Sequence, residues 1–311
     1  MKRLALRAPA KINLGLRVLG RRPDGYHELE SLFAPLALAD DLEIELGGAP
    51  GVRLCVKGEA AAGIPADAHN LAWRAAEAFA KAAGLGEGIA LQLVKRVPSP
   101  AGLGGGSSDA GAVLRGLSEL VPGRIAGPEL ERIALALGAD VPFFLRPTPA
   151  LVEGIGERVR PVSGVPELPV VLAHPGPGLA TRDVYAAFDA ADSLTAPTPT
   201  PTMRALLALG EESGTARVRW PDDSDDRLRS LVRNDLEPAA SRLCPMVVRL
   251  REELSKTGAR AVGMSGSGPT LYAIYASMEA AAEARARIAR AGVRTWLTQT
   301  ASSRDVGSDG A

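Results

Sequence analysis

Cysteine, histidine, net charge and long apolar runs are all scarce in this 311-residue chain, and each scarcity closes off a class of function. The two cysteines, Cys55 and Cys244, stand far apart without metal-type spacing or a neighbouring histidine, which excludes a cysteine metal cluster or a Cys-His nucleophile and leaves packing as their role. Lysine and arginine number 36 against 36 aspartates and glutamates, so no excess of positive charge draws the chain to nucleic acid, and no basic run interleaved with aromatics exists to bind it. No stretch of eighteen apolar residues spans a bilayer. The amino terminus, MKRLALRAPAKINL, has too short an apolar run for a signal peptide, and a cytoplasmic protein is expected. With 46% hydrophobic and 23% charged residues the composition is globular, and the length calls for two domains or one elaborated domain.

What is present in abundance is glycine, concentrated in KRVPSPAGLGGGSSDAG, residues 95 to 111. Upstream, Ile89, Leu91 and Leu93 alternate as in a half-buried strand, which Pro98 and Pro100 stop by removing backbone donors. Downstream, Ala110, Val113, Leu114, Leu117 and Val121 recur at helical spacing, with Ser107, Ser108 and Asp109 read as cap residues. Between them, Gly102, Gly104, Gly105 and Gly106 let backbone N-H groups approach an anion, and the helix start aims its unpaired N-H groups and positive dipole end at the same place. The stretch reads as a phosphate cradle, although neither G-x-x-x-x-G-K-[ST] nor a complete G-x-G-x-x-G is present.

Elsewhere, Ile12, Leu14, Leu16 and Val18 alternate with Lys11, Asn13, Gly15 and Arg17, so Lys11 and Asn13 point the same way. Pro23, Asp24 and Gly25 signal a turn that delivers Tyr26 and His27 exposed and side by side. LEIEL (42 to 46) and VRLCV (52 to 56) flank GGAPG and predict a hairpin. A helix capped by Asn70 and closed by Gly84 follows, and another ends at Gly138. Asp140 comes next, before the apolar Val141, Phe143, Phe144 and Leu145, where a lysine partner would make it a tunable acid or base. The Pro/Gly-rich 146–166 reads as a domain junction and 194–202 as a Pro/Thr linker. PDDSDD, 221 to 226, reads as a solvated loop. A strand LPVVLAHP, a helix begun by Thr181 and a long helix from Pro238 past Leu254 are expected. A second glycine loop, GMSGSGP at 263 to 269, lies between two short strands. A final helix and strand precede a tail, 302–311, expected to be disordered.

PAKINL at 9 to 14, PSPAGLGGGSSDA at 98 to 110 and GMSGSGP at 263 to 269 resemble, in order and spacing, the three motifs of the GHMP kinases, the superfamily of galactokinase, homoserine kinase and mevalonate kinases. DGYHELES, LGADVPFF and NDLEPAA extend the resemblance over nearly the whole chain. It implies an α+β fold in two lobes, an amino-terminal ATP-binding lobe (1–150) similar to a ribosomal-protein fold and a carboxy-terminal lobe (151–301) of ferredoxin-like character. It also implies Lys11 and Asp140 as the catalytic pair. Pro98, Ala101, Gly102, Leu103, Gly104, Gly105, Gly106, Ser107 and Ser108 would hold the triphosphate, and Asn70, Leu71 and Lys95 would lie at or near the adenosine. Asn13, Tyr26, His27, Tyr185, Gly266 and Ser267 match substrate positions. ATP as co-substrate, Mg2+, a CDP-linked small-molecule acceptor (CDP-methylerythritol) and a monomer or weak homodimer follow from the same resemblance, with no metal-binding residues of the chain's own. Ser99, Pro100 and Ala101 depart from the pattern where relatives carry more glycine, Tyr185 stands where Phe also occurs, and 211–226 matches no motif. A homoserine- or mevalonate-type kinase, an RNA-binding protein and a noncatalytic metabolite sensor are the competing readings.

Overall fold

The alternation at 12–18 belongs to a strand much longer than the pattern that announces it. In a computed structural model, β1 runs Lys2–Arg21 and β2 His27–Leu46, joined at a turn where the Arg22 N-H donates to the Tyr26 carbonyl (2.7 Å). Residues 2–176, 178–192, 203–204, 210–212, 215–218, 220, 225–290 and 292–301 are described. The β1–β2 pair is antiparallel and survives register shifts between Pro9 and Lys11, Asn13 and Leu16, and Val18 and Gly20. Such bulges re-aim side chains without ending the strand.

The stretches LEIEL and VRLCV do not form a hairpin. β3 (Val52–Lys57) pairs in parallel with β4 (Ile89–Val94), and β4 lies between β3 and β2, antiparallel to β2. The buried faces explain the exchange: Ile89, Leu91 and Leu93 are fully buried opposite Leu46, Ile44 and Leu42, whereas β3 is only half-buried on one side, as suits an edge. The Pro/Gly-rich 146–166 contains β5 (Ala150–Gly154) and β6 (Arg158–Ser163), which pair with each other, and β5 pairs with β2. β8 (Gly210–Glu212) and β9 (Thr215–Arg217) complete this sheet beyond β6.

Helices α1 (Leu71–Ala83), α2 (Gly105–Leu120) and α3 (Gly127–Leu137) cover one face of the first sheet. Asn70 caps α1 as expected, its Oδ1 accepting the Ala72 N-H (2.9 Å), and Gly84 closes it in the left-handed region. Phe79, Val113, Leu117 and Ile133 pack there against Leu6, Leu42 and Ile44.

β7 (Pro169–His174) begins the second sheet, followed by α4 (Thr181–Asp192), α5 (Asp225–Leu231), α6 (Glu237–Leu243) and α7 (Met246–Ser255). Then come β10 (Ala261–Met264), β11 (Leu271–Ile274), α8 (Met278–Ala289) and β12 (Arg294–Gln299). The order β10-β11-β7-β12, antiparallel throughout, with helices joining β7 to β10 and β11 to β12, is a ferredoxin-like arrangement. The single helix expected from Pro238 past Leu254 is two helices. Pro245 lacks an N-H and would clash with the preceding turn of a continuous helix, so Cys244 leaves helical geometry (φ −136°, ψ 88°), and Leu243 ends up exposed rather than in the core stripe.

The two sheets share an apolar layer: Ile12, Leu14, Leu32 and Leu36 from the first meet Val170, Leu172, Tyr272 and Ile274 from the second. Backbone bonds stitch the lobes as well, with the Ala301 N-H on the Pro35 carbonyl (2.8 Å) and the Leu16 N-H on the Arg233 carbonyl (3.1 Å). The fold is thus α+β, with two glycine loops brought to one edge of this seam. The 194–202 stretch and the 302–311 tail lie outside the described residues, as does part of 211–226. No described helix is long and apolar enough to cross a membrane.

Candidate active site

Helix α2 begins at Gly105, earlier than its sequence implies. Gly104 caps it in the left-handed region (φ 71°) without any side-chain bond, so Ser107, Ser108 and Asp109 occupy the helix itself instead of capping it. That shift leaves the first-turn N-H groups free of side-chain caps and open to an anion. Gly102 also has positive φ (71°), and a Cβ there would collide with the Ser265 carbonyl oxygen of the second glycine loop. Close approach of two backbones requires glycine at that point.

Lys95 braces the glycine loop and the start of α2 from within. Its ammonium is buried between Asp40 and Asp109 (Nζ to Asp109 Oδ2, 2.7 Å), and Asp40 also accepts the Val97 N-H (2.8 Å). Burial alone would lower the Lys95 pKa, but Asp109 and Asp40 outweigh it and raise it. Burial pushes the Asp109 carboxyl well above its ordinary range despite Lys95. Lys95 does not line the central cavity, so the residue expected near adenosine braces the loop in this structure.

Lys11 projects from the bulged part of β1. Its N-H donates to the Leu103 carbonyl (2.9 Å), its ammonium donates to Asn13 Oδ1 (2.7 Å), and the same ammonium lies 3.5 Å from Asp140 Oδ2 and 4.5 Å from the centre of the Phe33 ring. Asn13 in turn donates to Ser31 Oγ (2.9 Å), which donates to the Gly15 carbonyl (2.6 Å). Asp140 sits in the turn after α3, and the 3-10 turn Pro142–Leu145 seats Phe143 and Phe144 against Phe33 below it. The carboxylate is about a third exposed and faces the cavity, with the lysine partner that the sequence left open.

Residues without an expected role assemble this arrangement. Ser265 Oγ donates to the Gly102 carbonyl (2.8 Å), joining the two glycine loops. The Asn234 carboxamide donates to the carbonyls of Met264 (2.9 Å) and Gly266 (2.8 Å), which gives the NDLEPAA motif a structural purpose. Thr181 Oγ1 lies 2.9 Å from Ser267 Oγ, tying α4 to the second loop.

In the same cavity, His27 is buried, not exposed as expected, because Tyr185 and Asp189 of α4 close over it. Tyr185 stacks on the imidazole (4.8 Å between centroids, 23°), and Nε2 lies 2.7 Å from Asp189 Oδ1. Burial, with Asp140 nearby, raises the Tyr185 phenol far above its usual range. Tyr26 stays exposed, 60% of its surface open. One cavity of about 690 Å³ gathers Lys11, Asn13, Asp140, Tyr26, His27, Tyr185, Gly102, Gly104, Ser107, Gly266 and Ser267. Asn70, Leu71, Pro98, Ala101, Leu103, Gly105, Gly106 and Ser108 do not line it. Leu71 Cδ1 nevertheless faces Gly106, 3.6 Å from where a Cβ would stand, beside the first turn of α2. Pro98 lines a separate 450 Å³ recess with Arg96 and Trp296.

A ferredoxin-like lobe against a helix-covered sheet, with a glycine-loop helix start facing a lysine-aspartate pair, defines a small-molecule kinase of the GHMP class. The chain matches the GHMP kinases N terminal domain over residues 70–147 and the GHMP kinases C terminal domain over 223–294. It is 42% identical over 298 residues to the 4-diphosphocytidyl-2-C-methyl-D-erythritol kinase of Citrifermentans bemidjiense, covering 96% of this chain and 98% of that one, and 40% identical to the same kinase of Deinococcus radiodurans (94% and 90%). A crystal structure of 4-(cytidine 5'-diphospho)-2C-methyl-D-erythritol kinase superposes with a TM-score of 0.74 at 37% identity, covering 96% of this chain and all of that one. Homoserine kinase from Cytophaga hutchinsonii shares the fold (TM-score 0.72, 20% identity, coverage 97% and 96%). The chain belongs to the 4-diphosphocytidyl-2-C-methyl-D-erythritol kinase family.

Proposed function

We propose that this protein transfers the γ-phosphoryl group of ATP to the 2-hydroxyl of 4-diphosphocytidyl-2-C-methyl-D-erythritol, in the non-mevalonate route to isoprenoids. The observation that carries the reading is that one cavity is lined both by Lys11, Asp140, Gly104 and Ser107 and by Tyr26, His27, Tyr185 and Asp189. That combination suits an acceptor that carries both a nucleotide and the reacting alcohol.

Phosphoryl transfer needs positioning and charge neutralisation more than covalent help from the protein. Asp140 orients the acceptor hydroxyl and takes its proton as the oxygen bonds to the γ-phosphorus and the bond to the β-phosphate oxygen breaks. Lys11 neutralises the carboxylate before transfer and the developing alkoxide during it, and Asn13 fixes the ammonium that does so. The N-H groups at the start of α2, beneath Gly104, receive the phosphate charge. Mg2+ favours hard oxygen donors: the Ser107 hydroxyl, in the first turn of α2 and on the cavity wall, would meet it beside the phosphates, and a bound Mg2+ would add positive charge against them. ATP and a cytidyl metabolite as reactants keep the expectation of a cytoplasmic enzyme.

Phosphorus NMR of the product tests the reaction. Carbon 2 of the methylerythritol unit bears no hydrogen, so its phosphate monoester gives an uncoupled phosphorus line. A line split by carbon-bound protons would place the phosphate on another hydroxyl and reject the reading.

A further inference from the structure

Tyr185 and Asp189 are four residues apart on α4, so both reach the same neighbour, and that neighbour is His27 at the start of β2. Tyr185 covers the imidazole face, Phe188 meets it edge-on (6.1 Å, 86°), and Asp189 Oδ1 lies 2.7 Å from Nε2. Arg21 Nη1 stands 3.6 Å from the other Asp189 oxygen and holds the carboxylate from its far side. An ionised carboxylate only accepts hydrogen bonds, so Nε2 carries the proton and, in the neutral ring, Nδ1 is left as an acceptor. No hydrogen bond to Nδ1 is made by the described residues, and His27 lines the cavity.

We propose that Asp189 is the positioning residue that sets the pyrimidine preference, by fixing His27 in the tautomer whose Nδ1 accepts from the exocyclic amine of cytosine and opposes the carbonyl oxygen that uracil carries at the same place. The inference rests on the proposed function and adds a residue that stacking does not explain. Aromatic faces hold any pyrimidine; only an edge contact separates an amine from a carbonyl. Tyr185 and Tyr26 therefore supply grip, and the Asp189-His27 pair supplies choice.

Asp189→Asn keeps the shape of the side chain but offers Nε2 either a donor or an acceptor, so the imidazole is no longer confined to one tautomer. Steady-state kinetics with the cytidyl substrate and its uridyl analogue should show the ratio of kcat/KM values falling about tenfold or more, the scale of one hydrogen bond, chiefly through KM for the cytidyl substrate. The KM for ATP and the melting temperature should stay put. Nitrogen-15 spectra of the imidazole in the free protein read the tautomer without turnover: Nε2-H in the unaltered protein, a mixture in Asp189→Asn. A preference unchanged within twofold, or an Nδ1-H ring in the unaltered protein, overturns the assignment alone. If the unaltered protein phosphorylates neither nucleotide substrate, the functional reading falls and takes this assignment with it.

Discussion

Lys11 and Asp140 face each other at 3.5 Å, the ammonium buried and the carboxylate a third exposed to the cavity. The asymmetry assigns different tasks: the lysine is held by Asn13 and Leu103, while the carboxylate keeps room for a hydroxyl. Asp140→Asn should therefore keep the melting temperature and ATP affinity and lose about 10²-fold or more in kcat, the range for a positioned proton acceptor. Near-normal turnover would remove Asp140 from the mechanism.

Within the glycine loop, Gly105 and Gly106 should behave differently when replaced by valine. A Cβ on Gly105 would press on Val97 (3.0 Å), so Gly105→Val should lower stability and both substrate affinities together. A Cβ on Gly106 meets only Leu71 Cδ1 (3.6 Å), so Gly106→Val should keep the fold and weaken ATP at least about tenfold by crowding the helix start, the equivalent of one lost hydrogen bond. Calorimetric titration with each ligand checks this; equal ATP affinity in Gly106→Val would show that the phosphates lie elsewhere.

Much of this layout was legible because its signals are local. Asn70 and Gly84 punctuate one helix, and the glycine-rich stretch with its following periodicity gave the loop and α2, though not its first residue, since the left-handed backbone that puts Gly104 at the cap position has no signal among so many glycines. The hairpin misreading has a physical cause: alternation reveals which face of a strand is buried but not which strand lies beside it, and β4 arrives from more than thirty residues away. Pro245 was a readable break that the apolar stripe across it obscured. Asn234, Ser265 and Asp189 carried no local signal, because their partners Gly266, Gly102 and His27 are 32, 163 and 162 residues distant in sequence.

Lys95 offers a sharper test of structural bracing against nucleotide contact. Lys95→Met leaves Asp40 and Asp109 buried without their shared cation, and removing one partner of a buried ion pair costs about 3–5 kcal/mol. Urea unfolding should report a loss on that scale. A loss below about 1 kcal/mol, the range of exposed pairs, with a large rise in the ATP KM would return Lys95 to the nucleotide site.

His174, at the end of β7, accepts the Gly176 N-H on Nδ1 (3.0 Å), with Nε2 3.5 Å from the Pro100 carbonyl of the glycine loop. Burial, and secondly Arg294, push its pKa below the ordinary value. A native pKa below the unfolded one means that the folded protein binds fewer protons, so the contribution to stability is full above about pH 6.5 and is lost as pH falls below it. The melting temperature should drop between pH 7.5 and 5.5, and His174→Gln should show a smaller drop. Identical slopes would clear His174 of any part in it.

The most direct test of the whole account is an ADP-release assay on the purified protein with ATP and one acceptor at a time: 4-diphosphocytidyl-2-C-methyl-D-erythritol, homoserine or mevalonate. The account predicts saturable ADP release with the cytidyl substrate alone, cut by about 10²-fold or more in Asp140→Asn. Faster release with homoserine or mevalonate, or none with the cytidyl substrate, would contradict it.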